Sequence, residues 1–102
     1  MTIQELTEKS DLVAQEYSTK FGIEYTDDWF LLKLQEELGE LTRAHLMLSD
    51  RTRRKVSSEQ EGKYALAEEI ADVFAYTLLF AKRMNIDIED AITKKWFVFL
   101  KS

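Results

Sequence analysis

Two stretches decide how this chain folds: Leu34-Gln35-Glu36-Glu37-Leu38-Gly39-Glu40-Leu41 and Leu66-Ala67-Glu68-Glu69-Ile70-Ala71-Asp72-Val73. Both read Leu-x-Glu-Glu-aliphatic-small-acid-aliphatic, and the copies begin 32 residues apart. On a helix that turns about 100° per residue, Leu38 and Leu41 fall within about 40° of Leu34 and mark the core side. Glu37 and Glu40 then sit about 60° and 120° from Leu34, on one flank. Glu36 points nearly away from the core. Counting from Leu66 gives the same result: Glu69 and Asp72 flank the core side and Glu68 faces outward. Residues three apart on a helix are neighbours, so each helix carries an acidic pair on the rim of its apolar face.

Working outward, the sequence predicts four helices. The first covers about 2–21, with Ile3, Leu6, Val13, Tyr17 and Phe21 near one stripe, and Gly22 as its stop. The second starts at Thr26-Asp27-Asp28, where a side-chain oxygen caps free amides and acids suit the positive helix end. It continues to about residue 48, with Phe30, Leu34, Leu38, Leu41, His45 and Leu48 at helical spacing. Residues 50–58 break the pattern and read as a loop. The third helix runs from Ser57-Ser58 to about Met84. It is apolar over most of its circumference, which suits a central helix or one that meets a second subunit. Asn85 ends it. Asp87 caps the fourth, with Asp90 three residues on in the manner of a capping box, and Ile88, Ala91, Ile92, Trp96, Phe99 and Leu100 along it. Gly39 inside the second helix predicts a close helix approach, because a mid-helix glycine costs about 1 kcal/mol relative to alanine. The expected fold is all-α, a single-domain antiparallel helical bundle over residues 1–102.

Composition narrows the function. The 102 residues hold no Cys, no Pro, one His and three Gly. Disulfides, zinc–thiolate sites and cysteine nucleophiles are excluded, and a turn-rich β fold is disfavoured. The formal net charge of −5 disfavours binding to a nucleic-acid polymer or an anionic membrane. The longest apolar run, from Val73 to Ala81, is too short to span a bilayer. The first residues lack the features of a secretion signal, so a cytoplasmic location is expected.

Packed antiparallel through their apolar faces, the two acidic helices bring four carboxylates towards one point. Converging carboxylates repel one another and call for a cation. All-oxygen donors without a nearby His or Cys suit Mg²⁺, with Mn²⁺ as a substitute, and Mg²⁺ commonly completes its shell with substrate phosphates. A di-iron carboxylate bundle would need Glu-x-x-His motifs, and the one His, His45, lies five residues after Glu40.

Glu36-Glu37-x-x-Glu40, followed after 28 residues by Glu69-x-x-Asp72, resembles the signature of the MazG-type all-α nucleoside triphosphate pyrophosphohydrolases. That superfamily includes the dimeric dUTPases, the dCTP pyrophosphatases and the phosphoribosyl-ATP pyrophosphohydrolases. The order Glu-Glu-Ile-Ala-Asp-Val, Tyr76, Ile86-Asp87-Ile88, Ala91-Ile92-x-x-Lys95 is similar to the small stand-alone members. The resemblance implies Mg²⁺-dependent hydrolysis of a nucleoside or deoxynucleoside triphosphate to monophosphate and pyrophosphate, a house-cleaning activity. It implies that Glu37, Glu40, Glu69 and Asp72 hold metal, and that Glu36, beside Glu37, positions or deprotonates the attacking water. It also implies a homodimer or a homotetramer built as a dimer of dimers, which would complete the MazG-like bundle. Lys95, with Lys94 as the register alternative, matches a nucleotide-contacting lysine. The asparagine that follows in the family is replaced here by Phe99 or Trp96, according to register. That departure leaves a second reading, a helical nucleotide-sensing or interaction module. A phosphoribosyl-ATP pyrophosphohydrolase-like enzyme is the alternative within the enzyme class.

Other residues complete the candidates. Arg51, Arg53, Arg54 and Lys55 form a basic run between the acidic helices. Arg53 and Arg54 are candidates to bind or steer a polyphosphate. Trp29, Tyr76 and Trp96 offer faces on which a base can stack, and Tyr76 lies one turn after Asp72 on the same flank. His45 reads as a packing residue on the apolar face.

Overall fold

Each helix begins at a side-chain cap. The computed structural model describes residues 1–52 and 55–100. Helix α1, Ile3–Phe21, starts at Thr2, whose hydroxyl accepts from the Glu5 amide at 3.1 Å while the Glu5 carboxylate accepts from the Thr2 amide. That reciprocal pair satisfies two otherwise free donors. The helix stops at Gly22, which takes φ 64° at no steric cost. Helix α2, Asp27–Leu48, starts at Thr26, whose hydroxyl accepts from the Trp29 amide at 3.1 Å. Helix α3, Glu59–Arg83, starts at Ser58, which accepts from the Glu61 amide. Asn85 adopts φ 55° just beyond it, and the Ile86 amide returns to the Ala81 carbonyl at 2.9 Å.

Helix α4, Ile88–Lys95, starts at Asp87, which accepts from the Asp90 amide at 3.0 Å. It is shorter than the sequence predicts. Trp96 ends it, and Phe97–Phe99 form a single 3-10 turn. The described residues therefore form four α-helices and no strand, the all-α class expected. Among them no helix is long and apolar enough to cross a membrane.

The α2–α3 pair forms the body of the molecule. It is antiparallel, as two ends show. Arg83, at the end of α3, reaches Asp27, at the start of α2, at 2.8 Å, and its guanidinium lies over the Phe30 ring. At the opposite end, Gly62 meets Leu48 and Val56 so closely that a Cβ there would lie 2.8 Å from Leu48 Cδ1. Helix α1 lies against α3, pinned by Lys82 to Asp11 at 2.9 Å. The buried centre is small: Phe30, Leu78, Leu79, Ala81 and Gly62.

Several expectations change. Gly39 has open space where a Cβ would stand; the close helix approach is at Gly62 instead. His45 is exposed and bonds Arg51 at 2.9 Å rather than packing in the core. Leu38 and Ile70, each on the apolar side of its motif, are both 52% exposed, and Val13, Tyr17 and Phe21 of α1 are exposed as well. The cause is geometric. Helices α2 and α3 have 22 and 25 residues, and α1 cannot cover the rest of their apolar circumference. The radius of gyration is 16.3 Å, against about 13 Å for a compact domain of this length. The accessible surface is 8196 Å², against about 6,000 Å² for a typical monomer of this mass.

Candidate metal and nucleotide site

The antiparallel run places Glu37 of α2 opposite Asp72 of α3, with Glu69 one turn before Asp72. Glu37, Glu69 and Asp72 each present a carboxylate oxygen, and the three oxygens lie within 4.8 Å of one another. The Glu37 side chain is only 13% exposed. Burial, then the facing Asp72 and Glu69 carboxylates, push its pKa above the usual glutamate value. Glu69 Oε2 is buried without a hydrogen-bond partner. A buried, unpartnered carboxylate oxygen among like charges is costly unless a cation satisfies it. The donor set is hard oxygen throughout, which fits Mg²⁺ or Mn²⁺.

The other two glutamates of the motif lie differently. Glu40 stands outside the three-carboxylate group, with its Oε2 3.7 Å from Arg43 and 47% of its side chain exposed. It lines a smaller cavity of about 230 Å³ together with Glu69, Arg43 and Met47. Glu36 is more exposed still and sits 3.3 Å from Lys33.

Beside the carboxylates opens a cleft of about 550 Å³. Glu37 and Asp72 line one side of it, and Tyr17, Tyr25, Trp29, Phe30 and Tyr76 supply aromatic walls. The rings are mutually packed: Trp29 lies 4.6 Å from Tyr25 and 6.1 Å from Tyr76, centroid to centroid. Burial raises the Tyr76 pKa above its ordinary value, so it stays a neutral phenol able to donate. Apolar walls beside a few converging polar groups are the usual make-up of a small-molecule site.

Four sequence candidates thus meet at one cleft: Glu37, Asp72, Trp29 and Tyr76, with Glu69 adjoining. Lys94 and Lys95 do not line it. They lie exposed on α4, with Lys94 paired to Asp90 at 2.9 Å. Trp96 is exposed too. Arg53 and Arg54 lie outside the described residues; of the same basic run, Arg51 bonds His45 and Lys55 pairs with Asp50.

Lys33, Tyr17 and Tyr25 are cleft residues that the sequence reading did not single out. Lys33 had a signal, since it stands four residues before Glu37 and so on the same face. Tyr25 lies in the short connection before α2, outside any periodic pattern.

No curated protein and no solved structure matches the chain. The family model of the MazG-like family matches residues 32–101, a span that holds both acidic motifs. The chain therefore belongs to the MazG-like family.

Proposed function

We propose that this chain is a divalent-metal-dependent pyrophosphohydrolase that converts nucleoside or deoxynucleoside triphosphates to monophosphates and pyrophosphate. Family membership points to nucleotide pyrophosphohydrolysis at the level of the family. The observation that carries the reading for this chain is the adjacency of the three carboxylates to the aromatic cleft. One side suits a metal-bound phosphate and the other a base.

Glu37, Glu69 and Asp72 would hold Mg²⁺ or Mn²⁺, and Glu40 would complete the set by turning from Arg43. The ion would supply charge stabilisation on the phosphoryl oxygens and acidify a bound water. The protein's own part is positioning. Trp29 and Tyr76 offer aromatic faces on which a base stacks, worth about 1–3 kcal/mol per base in comparable sites. The low exposure of Glu37 limits how far bulk water screens its own carboxylate. Glu36, exposed at the outer edge beside Lys33, would accept a proton from an entering water.

The uncovered surface supports assembly into a homodimer or homotetramer. Its excess over a compact monomer is about 2,000 Å², comparable with what one subunit contributes to a large obligate interface. Lys94 and Lys95 would then serve a neighbouring subunit's cleft or a closed form of their own.

The test is a panel of ribo- and deoxynucleoside triphosphates with Mg²⁺ and with chelator, on wild type and Asp72→Asn. Mg²⁺-dependent consumption of a panel member, abolished by Asp72→Asn with the fold intact, is the expected result. Undiminished turnover in Asp72→Asn would refute the metal assignment. The separation of Glu40 from the other carboxylates favours the second reading, a nucleotide-sensing module, and metal binding without turnover would select it.

A further inference from the structure

The cleft is aromatic and acidic, yet a triphosphate carries about four negative charges. Among the described residues that line it, the one cation is Lys33. Its Nζ stands 3.3 Å from Glu36 Oε1 and 3.8 Å from Glu37 Oε1, with 29% of the side chain exposed. Three other described cations are engaged with acids elsewhere: Arg43 with Glu40, Lys82 with Asp11, and Arg83 with Asp27. Lys33 therefore lies between the carboxylate group and the open cleft, on a long flexible stem that reaches both.

We propose that Lys33 is an exchangeable counter-ion of the site: it neutralises Glu37 and Glu36 in the metal-free protein and turns to the polyphosphate once the carboxylates hold metal. This inference rests on the metal reading above. One lysine only partly offsets a cluster of three carboxyl groups. A divalent ion held by Glu37 would compete with Nζ for that carboxylate, since two like charges do not share it. Lys33 would then be free to turn towards the cleft that it lines, where phosphates would arrive. The two roles have opposite consequences when the charge is removed. A lysine that competes with metal weakens metal binding, whereas a lysine that binds phosphate strengthens substrate binding. A merely structural ion pair does not predict the two opposite changes, since its loss would weaken the binding of both ligands.

The experiment uses the intact chain and two probes. Mn²⁺ alone is titrated into the nucleotide-free protein by calorimetry, and inorganic pyrophosphate is titrated into the Mn²⁺-loaded protein. In Lys33→Gln, Mn²⁺ should bind about fivefold more tightly, because a positive charge a few ångströms from the ion is gone. Pyrophosphate should bind about tenfold more weakly, since a charge-assisted contact is lost. Lys33→Arg, which keeps the charge, should show wild-type Mn²⁺ affinity and guards against misfolding of the glutamine variant. Equal or weaker Mn²⁺ binding in Lys33→Gln, with Lys33→Arg intact, would overturn the counter-ion role while leaving the metal site standing. Absence of Mn²⁺ binding in wild type would overturn both.

Discussion

Glu37→Gln should stabilise the metal-free protein. The substitution keeps the shape of the side chain and removes one of three carboxylates whose oxygens lie within 4.8 Å. The charge on Glu37 is opposed by Asp72 and Glu69 on α3 and favoured by Lys33, 3.8 Å away on α2. The neighbouring Tyr76 is neutral, its pKa raised by burial. Two unit charges about 4.8 Å apart interact by about 0.9 kcal/mol in a water-like medium and about 3.5 kcal/mol at an effective dielectric of about 20. The attraction to Lys33 offsets one of the two repulsions. What remains is about one pair's worth, near the low end because Asp72 and Lys33 are partly solvated: about 1 kcal/mol. For a domain of this size that raises Tm by about 4–8 °C in chelator near pH 7.5. The pH dependence follows from sign. The folded-state pKa of Glu37 lies above its ordinary value of 4.5, so the fold favours the protonated carboxyl. That contribution is complete below the ordinary value and is lost as pH rises through the raised one. The variant's advantage should therefore vanish at about pH 4, where wild type is protonated too. Mn²⁺ should reverse the order at neutral pH, since only wild type gains about 2.7 kcal/mol at a hundredfold excess over Kd. Differential scanning fluorimetry in chelator and in Mn²⁺, at both pH values, reads all of this. A Tm for Glu37→Gln at or below wild type in chelator at pH 7.5 would show that Glu37 is not repelled by Asp72 and Glu69 in the folded protein.

Four further outcomes follow from local geometry and exposure. Gly62→Ala should end up less stable than Gly39→Ala by about 1–2 kcal/mol, because a Cβ at Gly62 meets Leu48 and Val56 while the helix-propensity gain is common to both. Gly39→Ala, with open space, should gain up to about 1 kcal/mol from helix propensity; urea melts of the pair would expose an error in either direction. Tyr76→Ala should raise the KM for a nucleoside triphosphate about tenfold or more through lost stacking, with little change in Mn²⁺ affinity; an unchanged KM would remove Tyr76 from the pocket. Light scattering after size exclusion should give about twice or four times the chain mass of 12.0 kDa, and Ile70→Lys should shift it downward. A constant monomer mass would show that the exposed apolar faces do not pair.

Much of this architecture was legible in local chemistry. Thr2, Thr26, Ser58 and Asp87 are capping residues by type and position, and Gly22 and Asn85 are the residues best able to take positive φ. The duplicated acidic motif showed which flank of each helix faces its neighbour. Other features depend on pairing between helices, which a helical wheel does not contain. Glu40 shares its flank with Glu37, but Arg43 lies one turn on and draws its carboxylate away. His45 matched an apolar spacing, yet Arg51 beyond the helix end gave it a polar partner. Gly39 and Gly62 are alike in sequence terms; only the antiparallel register puts Leu48 and Val56 against one of them. The fourth helix carried a periodic pattern to Leu100, but its apolar residues have few tertiary neighbours among the described residues to pack on, and α4 stops at Lys95.

The most direct measurement is ³¹P NMR of the purified protein with a mixture of ribo- and deoxynucleoside triphosphates and Mg²⁺. Resonances of a nucleoside monophosphate and of pyrophosphate should grow together in equal amounts, and chelator should stop both. Orthophosphate with nucleoside diphosphate, or unchanged triphosphate signals throughout, would contradict pyrophosphohydrolysis.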